Sequence, residues 1–209
     1  MNAVFVNIRP MLRVRASRVL MFGVLYFMLA CEAEEPTRED SPEMVTTVTA
    51  TFAPEDGGEA IVGRAFDPDA EGIRDIETDG PIVLQSGTTY LLSIGMYNDL
   101  ADKDSDEYDI SAEVEAESDE HMLFFGWSGS LFLNPTGTGN IDSRSEPLLY
   151  EDEDSSGLPL GLHTKWTTSS PASGTFRILL KHQPGLKSET STSEMGESDL
   201  DVVFEIQIK

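Results

Sequence analysis

Met44-Val-Thr-Thr-Val-Thr-Ala-Thr-Phe52 carries the first clear β pattern of the chain. Its β-branched residues favour extended backbone, and Met44, Val48, Ala50 and Phe52 share one face at a period of two. Pro54-Glu-Asp-Gly-Gly58 reads as a turn, and Ala60 to Phe66 as the returning strand of a hairpin. Further along, Pro81 to Leu84 is a short apolar run. Ser86-Gly-Thr-Thr89 then leads into Tyr90 to Tyr97, where Tyr90, Leu92, Ile94 and Met96 alternate with Leu91, Ser93 and Gly95. That mixture predicts a strand covered on both faces. A tyrosine opening a strand after such a turn is also a feature of β-sandwich corners.

Met122 to Trp127 reads as a buried strand. Leu131–Leu133, Pro147–Tyr150, His163–Thr168, Gly174–Gln183 and Leu200–Ile208 complete the set, with Gly and Pro turns between most of them. Ser111 to Glu120 is the one helical candidate, with Ser111 placed to cap it. Ser188 to Ser198 is a polar, low-complexity loop. Many short strands and one short acidic helix predict an all-β, Ig-like antiparallel β-sandwich over residues 44–209.

The N-terminal end gives the chain an address. Residues 1–30 hold Arg9, Arg13, Arg15 and Arg18 and no acid. The apolar run Val19 to Ala30 follows, too short for the roughly twenty residues that span a bilayer. Positive residues, a short apolar run and a small residue before a cut describe a secretory signal peptide. The sole cysteine, Cys31, stands where that signal ends. Phe27-Met-Leu-Ala-Cys31 resembles a lipoprotein signal, which implies cleavage before Cys31 and acylation (palmitate-type chains) of its sulfur. Ordinary cleavage near Ala33, discarding Cys31, is the alternative. Acyl chains hold a domain to a membrane with roughly 0.8 kcal/mol per buried methylene. The expected location is therefore the cell envelope, lipid-anchored at the outer membrane and facing either the periplasm or the surface. Residues 31–43 read as an acidic linker. Glu32-Ala-Glu-Glu35 is open to two readings, a surface-export tag and a solvated spacer.

Removing residues 1–30 takes away four Arg and no acid. The remaining 179 residues carry 10 Lys+Arg against 38 Asp+Glu, a formal charge of −28. Nucleic acid is excluded as a partner, because phosphate binding needs clustered cationic side chains. Cations are favoured. One cysteine forbids an internal disulfide, so the fold rests on its core.

Three acidic loops carry alternating oxygen ligands: Asp67, Asp69 and Glu71; Asp102, Asp104 and Asp106; Asp152, Asp154 and Ser156. That spacing matches the first half of a Ca²⁺ loop. Position 12 is Thr78, Glu113 and His163 in turn, and the second loop has Glu107 where the motif wants Gly. Solvated turns are the other reading. A transition-metal set is the second candidate. Glu113, Glu117 and His121 share a helical face at i, i+4 and i+8, and His182 ends a strand, so Glu117, His121 and His182 would supply an O/N/N ligand set if they meet.

Enzyme signatures are thin. Gly126-Trp-Ser128-Gly-Ser130 nearly matches a nucleophile elbow but lacks the last Gly, and a strand rather than a helix follows. Acids are too abundant to single out a glycosidase pair, and Trp127 and Trp166 are candidates for sugar stacking or for the core.

From Met44 onward, several pieces resemble a group of small envelope lipoproteins of Bacteroidetes-type bacteria with a β-sandwich domain. They are Met44-Val-Thr-Thr-Val-Thr, the Asp67-x-Asp69 loop, the acidic run into Glu120-His121, Phe124-Phe125, Leu180-Lys-His-Gln-Pro184 and Gly196-Glu-Ser-Asp199. The resemblance implies an anchored β-domain and little more, since the group has no established activity. The expected function is a non-enzymatic binding or accessory module of the envelope, Ca²⁺-stabilised, partnering a small ligand or an outer-membrane receptor. A structural coat lipoprotein and a transition-metal-binding lipoprotein are the alternatives.

Overall fold

The computed structural model describes residues 43–67 and 76–209, all within the compact unit Thr37–Lys209. The leader, Cys31, nearly all of the acidic linker, and Asp69 and Glu71 lie outside the described residues.

Among the described residues, ten strands and one helix follow in order: β1 (Thr47–Pro54), β2 (Ile61–Phe66), β3 (Glu77–Thr78), β4 (Ile82–Leu84), β5 (Thr89–Tyr97), α1 (Ile110–Ala116), β6 (His121–Trp127), β7 (Phe132–Asn134), β8 (His163–Thr168), β9 (Ala172–His182) and β10 (Glu197–Ile208). They form a six-stranded sheet, β3-β2-β1-β5-β8-β7, and a four-stranded sheet, β4-β10-β9-β6. All pairings are antiparallel except β4 with β10, a parallel pair in a sheet expected to be wholly antiparallel.

The sheets face each other across an aromatic core. Phe52 and Trp166 from the larger sheet meet Phe176 of the smaller one, with ring centroids 6.1 and 5.0 Å apart. Phe125 lies 5.6 Å from Trp166, edge to face, the arrangement aromatic quadrupoles favour. Trp127 and Trp166 are both buried in this core, so neither offers a sugar platform.

Sequence pattern and burial agree along β1, where Val48, Ala50 and Phe52 point inward, although Met44 lies before the strand and is exposed. In β5 only the Tyr90, Leu92, Ile94 and Met96 face is buried. Leu91 is 39% exposed, which corrects the expectation of a strand covered on both sides. The phenolic oxygen of Tyr90 accepts the Gln85 N–H at 3.0 Å, closing the corner that precedes the strand. Strand β6 is buried on both faces. Leu123, Phe125 and Trp127 enter the main core, while Met122 and Phe124 pack with Leu179 beneath Ile141 and Tyr150.

Pro147–Tyr150 is not a strand beyond a single bridge from Tyr150 to Thr164. Tyr150 donates instead to the Leu123 carbonyl at 2.8 Å and accepts from Asn140, whose Oδ1 takes the Phe125 N–H. Leu123 N–H also bonds the Leu160 carbonyl, and Trp127 N–H the Thr138 carbonyl. The edge of β6 is thus closed by the loop beside it, which removes a template for unwanted strand pairing.

Helix α1 is shorter than the sequence suggests. Asp109, not Ser111, is its N-cap, accepting from the Ala112 N–H. Ser111 is otherwise engaged: its Oγ accepts from Met96 N–H and donates to Met96 carbonyl. Ile110 and Val114 face the core, and the helix ends with Glu117 as C-cap.

A candidate metal centre at the end of the smaller sheet

The two central histidines are brought together by strand register. His121 opens β6, His182 closes β9, and the two stand directly opposite in the antiparallel ladder. Cross-strand partners lie about 5 Å apart, so their rings meet. The imidazoles are stacked, with centroids 4.7 Å apart and planes 12° from parallel. Glu117, four residues before His121, hangs over them from the end of α1. It no longer shares a helix with His121, as the spacing suggested, but its carboxylate stays 4.0 Å from His121 Nδ1.

Among the described residues, the potential metal ligands that converge in a group of three or more are Glu117, His121 and His182. Their ligand atoms all lie within 4.8 Å of one another. His121 is fully buried and His182 nearly so, while Glu117 is partly exposed. His182 Nε2 contacts Glu120 Oε2 at 3.2 Å.

Asp199 joins this cluster from β10. The pairing of β10 with β9 shifts between Ser198 and Leu200. Such a bulge leaves the extra residue unopposed and re-aims its side chain. Asp199 Oδ2 comes to 3.6 Å from His121 Nε2, and neither side chain has any exposed surface. Burial disfavours a charged His121. The Asp199 carboxylate outweighs it, with help from the Glu117 carbonyl at 3.2 Å and from Glu43, and the imidazole pKa rises above its ordinary value. Glu43 is pushed up to about 7, by burial first and then by Glu113, Asp199 and Glu117, with His121 pulling the other way. The cluster gathers carboxylates around His121, and a cation there would offset the repulsion among Glu43, Glu113, Glu117 and Asp199.

The surrounding chain locks the site in place. Gln183, next to His182, donates to the Thr192 and Met195 carbonyls, and its N–H bonds the Glu120 carbonyl. Lys181, on the other side, donates to the Gly196 carbonyl and to Ser198 Oγ. The polar 188–198 loop is therefore pinned by both neighbours of His182. Gly196 adopts φ +74°, and a Cβ there would meet the His182 carbonyl oxygen at 2.1 Å, so glycine is required by conformation and by space.

Among the described residues, the acidic loops show no comparable convergence. Asp67 is buried at the end of β2, with Asp69 and Glu71 outside the described residues. Asp102, Asp104 and Asp106 are all exposed. In the third loop the two carboxylates are engaged by the chain itself. Asp152 accepts the Gly161 and His163 N–H groups, one on each oxygen. Asp154 Oδ1 accepts the Ser156 and Leu158 N–H groups, and its Oδ2 lies 2.9 Å from Lys187 Nζ. Ser156 is exposed and turned outward from this knot. These carboxylates hold a loop and a lysine. Ser128, of the elbow-like segment, bonds Thr175 through its Oγ at 2.9 Å.

Sequence reasoning named Glu117, His121 and His182 but missed Asp199. A strict alternation from Leu200 puts Asp199 on the outer face, and only the bulge reverses that.

No protein-family model, no curated protein and no solved structure matches the chain.

Proposed function

We propose that this chain is a lipid-tethered module of the bacterial cell envelope that binds one divalent transition-metal ion at Glu117, His121 and His182, and that it is a binding protein rather than an enzyme. The convergence of those three ligand atoms within 4.8 Å carries the reading. An O/N/N set suits zinc and its first-row neighbours far better than calcium, which takes six to eight oxygens. Two strand ends in fixed register and a helix cap hold the ligands, so the site is preorganised.

The address rests on the arginine-flanked apolar segment and on Cys31, which we read as the acylated first residue of the mature protein, as in the envelope lipoproteins it resembles. The sandwich we read as Ig-like in the broad sense, on the strength of the Tyr90 corner. A bound ion would serve the module either as cargo handed to an outer-membrane receptor or as a clamp on the sheet end.

Calorimetric titration of the purified chain with Zn²⁺ and with Ca²⁺ tests the proposal. One Zn²⁺ per chain, abolished in His121→Ala/His182→Ala, is expected, with no heat from Ca²⁺ at micromolar concentration. Zinc binding that survives the double substitution would overturn it.

A further inference from the structure

We infer that Asp199 is a fourth metal ligand, and that the ion sits between its carboxylate and Nε2 of His121. This rests on the metal reading above and extends it to a residue on a third strand. Nε2 of His121 and both oxygens of Asp199 are buried without a hydrogen-bond partner. Buried polar atoms are nearly always satisfied, and a buried carboxylate with no donor on either oxygen calls for a cation. On the far side of the ring, Nδ1 faces the Glu117 carbonyl at 3.2 Å. With an ion bound, a proton held there would fix the tautomer and leave the Nε2 lone pair to the metal, the usual arrangement behind a ligating histidine; without one, the Asp199 carboxylate favours the protonated ring.

Spacing supports the same assignment. Two ligands bound at about 2.0–2.1 Å to a tetrahedral ion stand about 3.4 Å apart. Nε2 and Oδ2 are 3.6 Å apart, too far for a hydrogen bond and close to that edge length. Glu117 and His182 would supply the remaining oxygen and nitrogen; their ligand atoms converge with that of His121 within 4.8 Å, a convergence that does not itself include Asp199. Asp199 and His121 form the closed inner side of the site, and the partly exposed Glu117 its entrance.

Titration of the full chain with Co²⁺, read by its visible absorption, tests the assignment in the wild type, Asp199→Asn and Asp199→Ala. Near-UV circular dichroism confirms folding, and the near-isosteric Asn variant keeps the test valid if Ala unfolds. We expect one Co²⁺ per wild-type chain. Loss of the carboxylate should weaken binding by at least about 100-fold and shift the visible bands. Unchanged bands in Asp199→Asn would overturn the assignment, since a carboxylate that only orients His121 leaves the coordination sphere intact. Wild-type binding matched by the variants also sinks this inference alone. No Co²⁺ binding by any form sinks the metal reading with it, and leaves His121 and Asp199 as an ion pair sharing a proton.

Discussion

Replacing Lys187 by Met should cost about 3 kcal/mol of stability, and the reason lies in what the lysine leaves behind. Lys187 Nζ and Asp154 Oδ2 are 2.9 Å apart, with both side chains only 1% exposed. Removing one partner of a buried pair typically costs about 3–5 kcal/mol, because the other charge stays buried and unpaired. Here Asp154 keeps two backbone donors, from Ser156 and Leu158, which places the loss at the lower end. The Ser118 carbonyl also loses its donor. For a domain of this size, 3 kcal/mol corresponds to a fall in melting temperature of about 6–12 °C.

Urea and thermal unfolding at pH 7 measure the effect, and Asp154→Asn with the double variant completes a cycle. A coupling of about 2 kcal/mol is expected, because the double variant strands no charge. The pH dependence has a definite sign. Burial raises the pKa of Asp154, but its hydrogen bonds from Leu158 and Ser156 and the ammonium of Lys187 outweigh this and hold it below the usual carboxylate value. Its contribution is therefore present above about pH 4 and fades as the pH falls further, and the cost of losing Lys187 fades with it. A loss below about 1 kcal/mol at pH 7, or strict additivity in the cycle, would refute the argument.

Two further outcomes follow from the cluster around His121 and His182. Glu43 has a folded pKa raised from 4.5 to about 7, so its stabilising contribution is present below pH 4.5 and lost as the pH rises through 7. In chelator-treated protein, Glu43→Gln should be more stable than the wild type at pH 8 by about 1–2 kcal/mol after allowance for solvent screening, with no advantage at pH 4. Urea unfolding at both values checks it, and a variant less stable at pH 8 would contradict it. Gly196→Ala should cost about 2 kcal/mol or more, since it strains a positive φ and drives a methyl into the His182 carbonyl. It should weaken metal binding as well, and a variant melting with the wild type would count against the packing described.

Much of the fold was legible because burial in β1 and β5 follows a period of two, which a sequence displays directly. The departures have local causes. Strand β3 spans only Glu77–Thr78, too short to show a period. Pro147–Tyr150 has strand-like residues, yet Tyr150 spends its hydroxyl on the Leu123 carbonyl and serves as a cover for β6. Ser111 looked like a helix cap, but Met96 on β5 had already claimed its oxygen. The site divides in the same way. His121 and His182 end up opposite each other because β6 and β9 are neighbours, and no spacing along the chain states that. Asp199 depends on a bulge, a one-residue slip in register with no sequence signature of its own.

The central claim is that an ion sits among these side chains. Crystals grown with one equivalent of Zn²⁺, measured on both sides of the zinc absorption edge, address it directly. The account predicts a single anomalous peak per chain, about 2.0–2.3 Å from a ring nitrogen of both His121 and His182. A map that is empty there, or that shows zinc only on the exposed Asp102–Asp106 loop, would contradict it.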